Sequence, residues 1–288
     1  MKSKTSNNDT IQKLKKSRRF IEDHYSESIG LEEISNSAHL SLFHFHRMFK
    51  SYFEMTCIDY LIQVRLEKSL QLLVYSKKSI SEISFEVGFP NTETYIRNFK
   101  KLYKTTPGMY RKNTTDHFEN LKPLELQREK AVFQNPFQMI KNMDSFPIAI
   151  MRTDAKDKIF AKTLHRLLDK TISLGVYNNE ICFYGRSLDP PKLPHSKLER
   201  WELGVKVPKE KRNKLPFPLE VVTWKKGRYL VINHRGTAKE LEATYMKAYQ
   251  YIIHSPFPIA NDPCWEVYKK IPPFHQNTEI DIFFRLEE

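Results

Sequence analysis

The sequence predicts a two-domain chain of mixed class. An all-α double helix-turn-helix domain spans residues 11–112, a linker spans 113–124, and an α+β domain spans 125–288. The α+β part is read as a duplicated β-α-β-β unit with a groove. Three observations predict this division. A length of 288 residues suits about two domains. The stretch "HRMFKSYFEMT" from His46 recurs as "IRNFKKLYKTT" from Ile96, so Arg47, Phe49, Lys50 and Thr56 correspond to Arg97, Phe99, Lys100 and Thr106. Beyond residue 135 the helical periodicity gives way to short alternating segments, each group of strands carrying one helix.

The first unit starts at Leu31 with "LEEISNSAHLSLFHFHRMFKSYF". Residues 31–38 read as a short amphipathic helix, His39-Leu40 as a turn, and Ser41 as the N-cap whose hydroxyl satisfies free amides of the next helix. In that helix Leu42, Phe45, Phe49 and Tyr52 or Phe53 recur at helical spacing and are expected to face inward. Phe43, His46, Arg47 and Lys50 then share the outward face. His44 and His46 are two apart and point to different faces, which argues against a metal pair.

The second unit is "ISEISFEVGFPNTETYIRNFKKLY" from Ile80. Gly88 suits a left-handed turn. Asn91 reads as the N-cap, and Glu93 complements the helix dipole in the first turn. Tyr95, Phe99 and Leu102 are expected inside. Glu93, Arg97, Lys100 and Lys104 face out, with Thr94 and Ile96 beside them. The repeat spacing is 49 before the turn, from Ile34 to Ile83, and 50 after it, so the second turn carries one extra residue. Between the units, residues 58–74 ("IDYLIQVRLEKSLQLLV") lack Gly and Pro and read as a connecting helix about 25 Å long.

Two short helices joined by a tight turn place the second one in a DNA major groove. One duplex turn is roughly 34 Å, so the connecting helix can hold two such heads near successive groove segments, with a bend favoured by the shorter span. Arg47 and Arg97 are suited to bidentate contact with guanine or phosphate. Lys50, Lys100, Lys101 and Lys104 are suited to phosphate.

Composition agrees with folded domains: 40% hydrophobic and 28% charged residues. The apolar runs are too short for a membrane span. "MKSKTSNNDT" has no apolar core, so no signal peptide and a cytoplasmic location are expected. Cys57, Cys182 and Cys264 fit neither a zinc site nor a disulfide framework, and each is expected to be a small buried hydrophobe. The net charge of +13 attracts polyanions. It does not localise the interface, because residues 1–135 hold 22 Lys+Arg against 16 Asp+Glu and the remainder 25 against 18. No Gly-rich phosphate loop, Ser-His-Asp pattern or metal cluster is apparent, so neither an enzyme nor a cofactor is expected.

On "LEEISNSAHLS", "HRMFK", "VGF", "RNFKKLYKTTPGMYRK" and "RLEKSLQLL", residues 11–112 resemble the DNA-binding domain of the AraC/XylS family of bacterial transcription regulators. The resemblance implies seven helices, RNA polymerase as a further partner, and activation as the usual sense. It implies base readers at Phe43, His46 and Arg47 in the first unit, and at Thr92, Glu93, Thr94, Ile96 and Arg97 in the second. The family usually has Gly after each recognition helix, where this chain has Glu54 and Lys104, which questions the helix C-caps.

In the second half, "SFPIAIMRT" reads as a strand, "KDKIFAKTLHRLLDKTISLG" as a helix, and "EICFYGRSL" and "ERWELGVKV" as strands. "LEVVTWKKG" follows as a spacer, then strand "RYLVINHRG", helix "TAKELEATYMKAYQYIIHS", and strands "PCWEVYKK" and "EIDIFFRLE". On "RWELGVKV", "KKGRYLVINHRG", "LEATYMKAYQYI", "CWEVYKK" and "TEIDIFFRL" this half resembles the GyrI-like effector-binding domain. In that family a buried acid ringed by aromatics captures lipophilic cations, and the acid maps to Glu266. Strand alternation puts Glu266 and Tyr268 on one face and Trp265 and Val267 on the other. Tyr184, Trp201 and Phe283 are the expected neighbours from other strands. The last strand usually ends in Pro, where this chain has Arg285. Three uses of such a groove stand: a sensor for a small molecule such as an organic cation, a hydrolase with Glu266 activating water and a Tyr as acid, or a ligand-free protein-contact module.

Overall fold

The computed structural model describes residues 2–119, 139–152, 160–176, 182–189, 197–198, 200–212, 215, 218–237, 239–254, 257–270 and 278–287. The chain divides into two compact units, Met1–Leu73 with Lys77–Lys112, and Val74–Ser76 with Asn113–Glu288.

Among the described residues the N-terminal region has seven helices: α1 (Lys2–Asp23), α2 (Leu31–Ser37), α3 (Leu42–Phe53), α4 (Cys57–Tyr75), α5 (Ile80–Glu86), α6 (Thr92–Tyr103) and α7 (Pro107–Glu119). The repeat is visible in their bounds. Helix α5 starts 49 residues after α2, and α6 starts 50 after α3. Equivalent positions play equivalent parts. Ile34 and Ile83 are fully buried, as are Phe49 and Phe99. Phe49 packs on Phe45, Phe53 and Tyr60, and Phe99 on Tyr95, Tyr103 and Tyr110. Thr56 and Thr106 cap α4 and α7, their hydroxyls accepting the amides of Asp59 and Met109 at 3.1 and 3.3 Å. The residues assigned to a linker, 113–124, are helical as far as Glu119, and the remainder lies outside the described residues.

Both helix-turn-helix turns use left-handed backbone, but different residues. In the second turn Gly88 has φ 92°, and a Cβ there would meet the Tyr25 carbonyl oxygen at 2.7 Å. In the first turn His39 adopts φ 51°. After the recognition helices, Glu54 and Lys104 adopt φ 62° and 60°. The left-handed C-cap is therefore kept without glycine, which answers the doubt raised by those two residues. A non-glycine residue there costs roughly 1–2 kcal/mol, partly offset by the greater unfolded-state entropy of glycine. Glu54→Gly and Lys104→Gly are each expected to stabilise the protein by about 0.5–1 kcal/mol. Urea unfolding followed by helical circular dichroism checks this, and a loss of stability would show that the left-handed cap carries no strain.

The second unit is one antiparallel sheet of eight strands among the described residues: β1 (Met139–Met143), β2 (Phe146–Arg152), β3 (Phe183–Ser187), β4 (Trp201–Lys206), β5 (Glu220–Trp224), β6 (Gly227–Gly236), β7 (Cys264–Lys270) and β8 (Thr278–Arg285). Their order is β1-β6-β8-β7-β3-β4-β2-β5. Helix α8 (Phe160–Ser173) follows β2 and lies against β2 and β4. Helix α9 (Leu241–His254) follows β6 and lies against it. The repeated β-α-β-β units are therefore β2-α8-β3-β4 and β6-α9-β7-β8, with β5 between them, as read from the sequence. The added strand β1 pairs with β6 at one sheet edge.

The sheet curls. Trp224 sits on the edge strand β5, yet its ring packs on Tyr229, Trp265 and Phe283 of β6, β7 and β8, with centroids 5.0–5.3 Å away. With Ile148, Ile150 and Val231 these residues form the aromatic core on the inner face. Beside it Glu202, fully buried, accepts from Arg152 at 3.0 Å and faces the Arg186 Nε at 3.1 Å. The Arg186 guanidinium lies over the Trp265 ring at 5.7 Å. Arg285, where the resembling family has Pro, pairs with Asp262 at 2.6 Å.

Candidate DNA interface and buried carboxyl site

The two recognition helices, α3 and α6, are anchored by the same aromatic core positions, so their outer faces follow from helical spacing. Phe43, His46, Arg47 and Lys50 are all exposed on α3. On α6 Glu93, Arg97 and Lys100 are exposed, whereas Thr92, Thr94 and Ile96 are half-buried. Lys101 and Lys104 are also exposed. Thr92 ties α6 to α5, because its hydroxyl lies 3.1 Å from that of Ser84 and donates to that of Ser81 at 3.2 Å.

The entry loops are held by two arginines. Arg65 on α4 donates to the carbonyls of Tyr25 and Glu27 at 2.7 and 2.8 Å. Arg111 on α7 donates to those of Leu73 and Lys78 at 2.9 and 2.6 Å. Arg65 thus ties down the loop before α2, and Arg111 ties the last turn of α4 to the turn before α5. Helix α4, at 19 residues, is about 28 Å long.

Three local expectations are corrected. Leu42 is 47% exposed, not inward. Side chains lean toward the helix N-terminus, so a residue of the first turn projects beyond the packed part of the helix. Ser41 is the N-cap but makes no side-chain capping bond, unlike Asn91, whose Oδ1 accepts from the Thr94 amide at 2.8 Å. The choice that spacing left open between Tyr52 and Phe53 is resolved, not corrected: Phe53 packs on Phe49, and Tyr52 is exposed. Among the cysteines, Cys57 and Cys264 are buried as expected, but Cys182 is exposed.

In the second unit Glu266 is buried on β7, facing α9. Tyr245 of α9 and Tyr268 of β7 each donate a hydroxyl hydrogen bond to its carboxyl, one to each oxygen. Burial pushes the carboxyl above its ordinary 4.5, and the two hydroxyls pull the other way. Burial also pushes both tyrosines well up. The Cys264 Sγ lies 3.9 Å from the Tyr245 hydroxyl. Helix α9 is held beside the carboxyl by His234 of β6, whose Nδ1 is 2.8 Å from the Thr244 hydroxyl.

Gly185 of β3 stands opposite Glu266 in register. A Cβ at Gly185 would meet the Tyr268 ring at 2.9 Å and the Trp201 ring at 3.1 Å. The missing side chain thus lets two flat rings close together beside the carboxyl. Of the expected neighbours, Trp201 and Tyr268 join Glu266. Tyr184 and Phe283 do not. In register they pair with Val267 and Trp265, on the opposite face, and pack into the aromatic core. Burial there pushes the Tyr184 hydroxyl up to about 12. Tyr245 and Gly185 were not singled out in the sequence. The signal for Tyr245 was its spacing of four from Tyr249, which put two aromatic side chains on one helix face.

Among the described residues no His, Cys, Asp and Glu cluster is arranged to hold a metal, and no helix is long and apolar enough to cross a membrane.

Residues 34–113 match the family described as a helix-turn-helix domain. Residues 138–287, more than half of the chain, match the family described as a GyrI-like small molecule binding domain. The HTH-type transcriptional regulator YbfP of Bacillus subtilis (strain 168) is 36% identical over 98 residues, covering 34% of this chain and 33% of its own. YdeC of the same strain, also an HTH-type transcriptional regulator, is 34% identical over 100 residues, covering 35% and 34%. The transposon Tn10 TetD protein of Escherichia coli is 33% identical over 94 residues, covering 33% and 68%. The match spans about a third of the length of the first two relatives.

Proposed function

The chain belongs to the family of GyrI-like small molecule binding domain proteins and carries an AraC-type helix-turn-helix domain, and on that premise we propose that it is a sequence-specific DNA-binding transcriptional regulator controlled by a small molecule. The observation that carries the DNA half is the repeated outer face: Arg47 and Lys50 on α3, Arg97 and Lys100 on α6, all exposed over equivalent buried aromatics. Two rigid heads in one polypeptide suit two major-groove segments of one duplex. The names of YbfP and YdeC support the regulatory role.

For the second domain the favoured effector is a lipophilic organic cation. Glu266 supplies a carboxyl shielded from water, and Tyr245, Tyr268 and Trp201 supply rings beside it. A cation compensates a buried carboxylate, and aromatic faces add cation–π attraction. RNA polymerase is the further partner this role calls for, and the second domain acts as a sensor and not as an enzyme.

Selection of random duplexes on the full chain tests the first half. Enrichment of two short boxes about one helical turn apart, roughly 10 base pairs, is expected. Binding without sequence enrichment would overturn sequence-specific regulation. For the second half, a rhodamine dye titrated into the full chain is expected to show saturable anisotropy and to be recovered chemically unchanged. Hydrolysis of an ester-bearing dye would favour the enzymatic alternative.

A further inference from the structure

The two heads share a scaffold but differ at one outward position of the first helical turn. With Ser41 and Asn91 as N-caps, Phe43 and Glu93 occupy the same site, the second residue of each helix. Four residues later both helices carry an exposed arginine, Arg47 and Arg97, and three further on an exposed lysine, Lys50 and Lys100. Phe43 is 78% exposed, and Leu42 beside it 47%. Neither packs into the core, and both flank the basic stripe of α3. Glu93 is exposed as well. Among the described residues it makes no ion pair, although Arg97 is one turn away.

From this difference within a shared frame we infer that the two heads read different chemistry: α3 reads a pyrimidine C5-methyl group through Leu42 and Phe43, and α6 reads a cytosine amino group through Glu93. In the major groove a methyl group is the only apolar feature of a base edge, and the cytosine N4 amino group is a donor that a carboxylate accepts. A carboxylate at the tip of a groove-facing helix is repelled by phosphate, so it keeps a place there most readily where a base donor meets it. The arginines add a guanine contact to each box. The operator is therefore asymmetric, with a methyl-bearing pyrimidine in the α3 box and an unmethylated donor in the α6 box. This inference rests on the DNA-binding reading above.

The test starts from a duplex selected by the full chain. At the pyrimidine facing α3, four versions are compared: thymine, uracil, 5-methylcytosine and cytosine. Thymine is expected to bind about fourfold tighter than uracil, and 5-methylcytosine about fourfold tighter than cytosine. That ratio corresponds to the roughly 0.8 kcal/mol of one buried methylene-sized group. Thymine alone as the preferred partner marks an ordinary sequence reader, and an added preference for 5-methylcytosine marks sensitivity to DNA methylation; either supports methyl reading. Phe43→Ala is expected to remove the difference, and Phe43→Glu to move the selected base in that box to cytosine. Glu93→Gln is expected to relax the cytosine preference of the other box. Equal binding of thymine and uracil, or a methyl effect that survives Phe43→Ala, would overturn the inference while leaving sequence-specific binding intact. Selection of no sequence at all would overturn the DNA-binding reading and this inference with it.

Discussion

Replacing Arg47 and Arg97 together by alanine is expected to weaken specific DNA binding by about 2–6 kcal/mol, the sum of about 1–3 for each base-contacting arginine. Additivity is expected because the two lie on separate helices, α3 and α6, and share no partner. Neither change should unfold the protein. Both side chains are exposed and the core beneath is built from Phe45, Phe49, Tyr95 and Phe99, which are fully buried. Competition with random duplex separates two roles. A base reader loses specific binding and keeps most non-specific binding. A phosphate contact loses both equally and lowers the salt dependence by about one counterion per side chain. Lys50→Ala and Lys100→Ala are expected to behave in the second way. An Arg47→Ala variant that binds the selected site as tightly as the unaltered chain would remove α3 from the base-reading interface.

The division of labour along the chain explains what was legible in its sequence. Helix-turn-helix geometry is local. The cap at Asn91, the turn at Gly88, and the spacing of Phe45 and Phe49 all act within a few residues, so the bounds of the helix-turn-helix elements followed from one-dimensional pattern. Leu42 failed because periodicity says which face a residue shares, not how far the neighbouring element extends along that face. In the sheet, alternation correctly separated Glu266 and Tyr268 from Trp265 and Val267, because it operates within one strand. It could not assign Tyr184 and Phe283, because the register between strands decides which faces coincide, and a one-residue slip inverts the answer. Trp224 is in the core as its residue type in a strand suggested, but its partners Tyr229, Trp265 and Phe283 depend on sheet curl, which acts at longer range. Tyr245 reaches Glu266 from a helix that precedes β7, so its role depended on how α9 docks.

Glu266→Gln is expected to lower the affinity for a lipophilic cation by about 2–5 kcal/mol, the usual range for removing one partner of a buried charge pair. The more discriminating result is the pH dependence. Only the carboxylate attracts a cation, whereas burial favours the neutral acid. Cation affinity of the unaltered chain should therefore rise with pH until the raised value of the free protein is passed, with a proton released on binding below it. Stability without ligand should move the opposite way. A raised value means that the folded state holds the proton more tightly than the unfolded state. The group's favourable contribution is thus present at and below 4.5 and is lost as pH rises through the window above it. In Glu266→Gln both dependences should flatten, because glutamine keeps the volume and one acceptor oxygen for a tyrosine hydroxyl but has no proton to exchange. Tyr245→Phe removes one donor to the carboxyl, which raises its proton affinity further, so the rise in cation affinity should shift to higher pH. Cation binding that is independent of pH in the unaltered chain, or unchanged by Glu266→Gln, would show that the cation is held elsewhere. The aromatic core around Trp224 and Trp265, with the buried Glu202 beside it, would then be the next site to test.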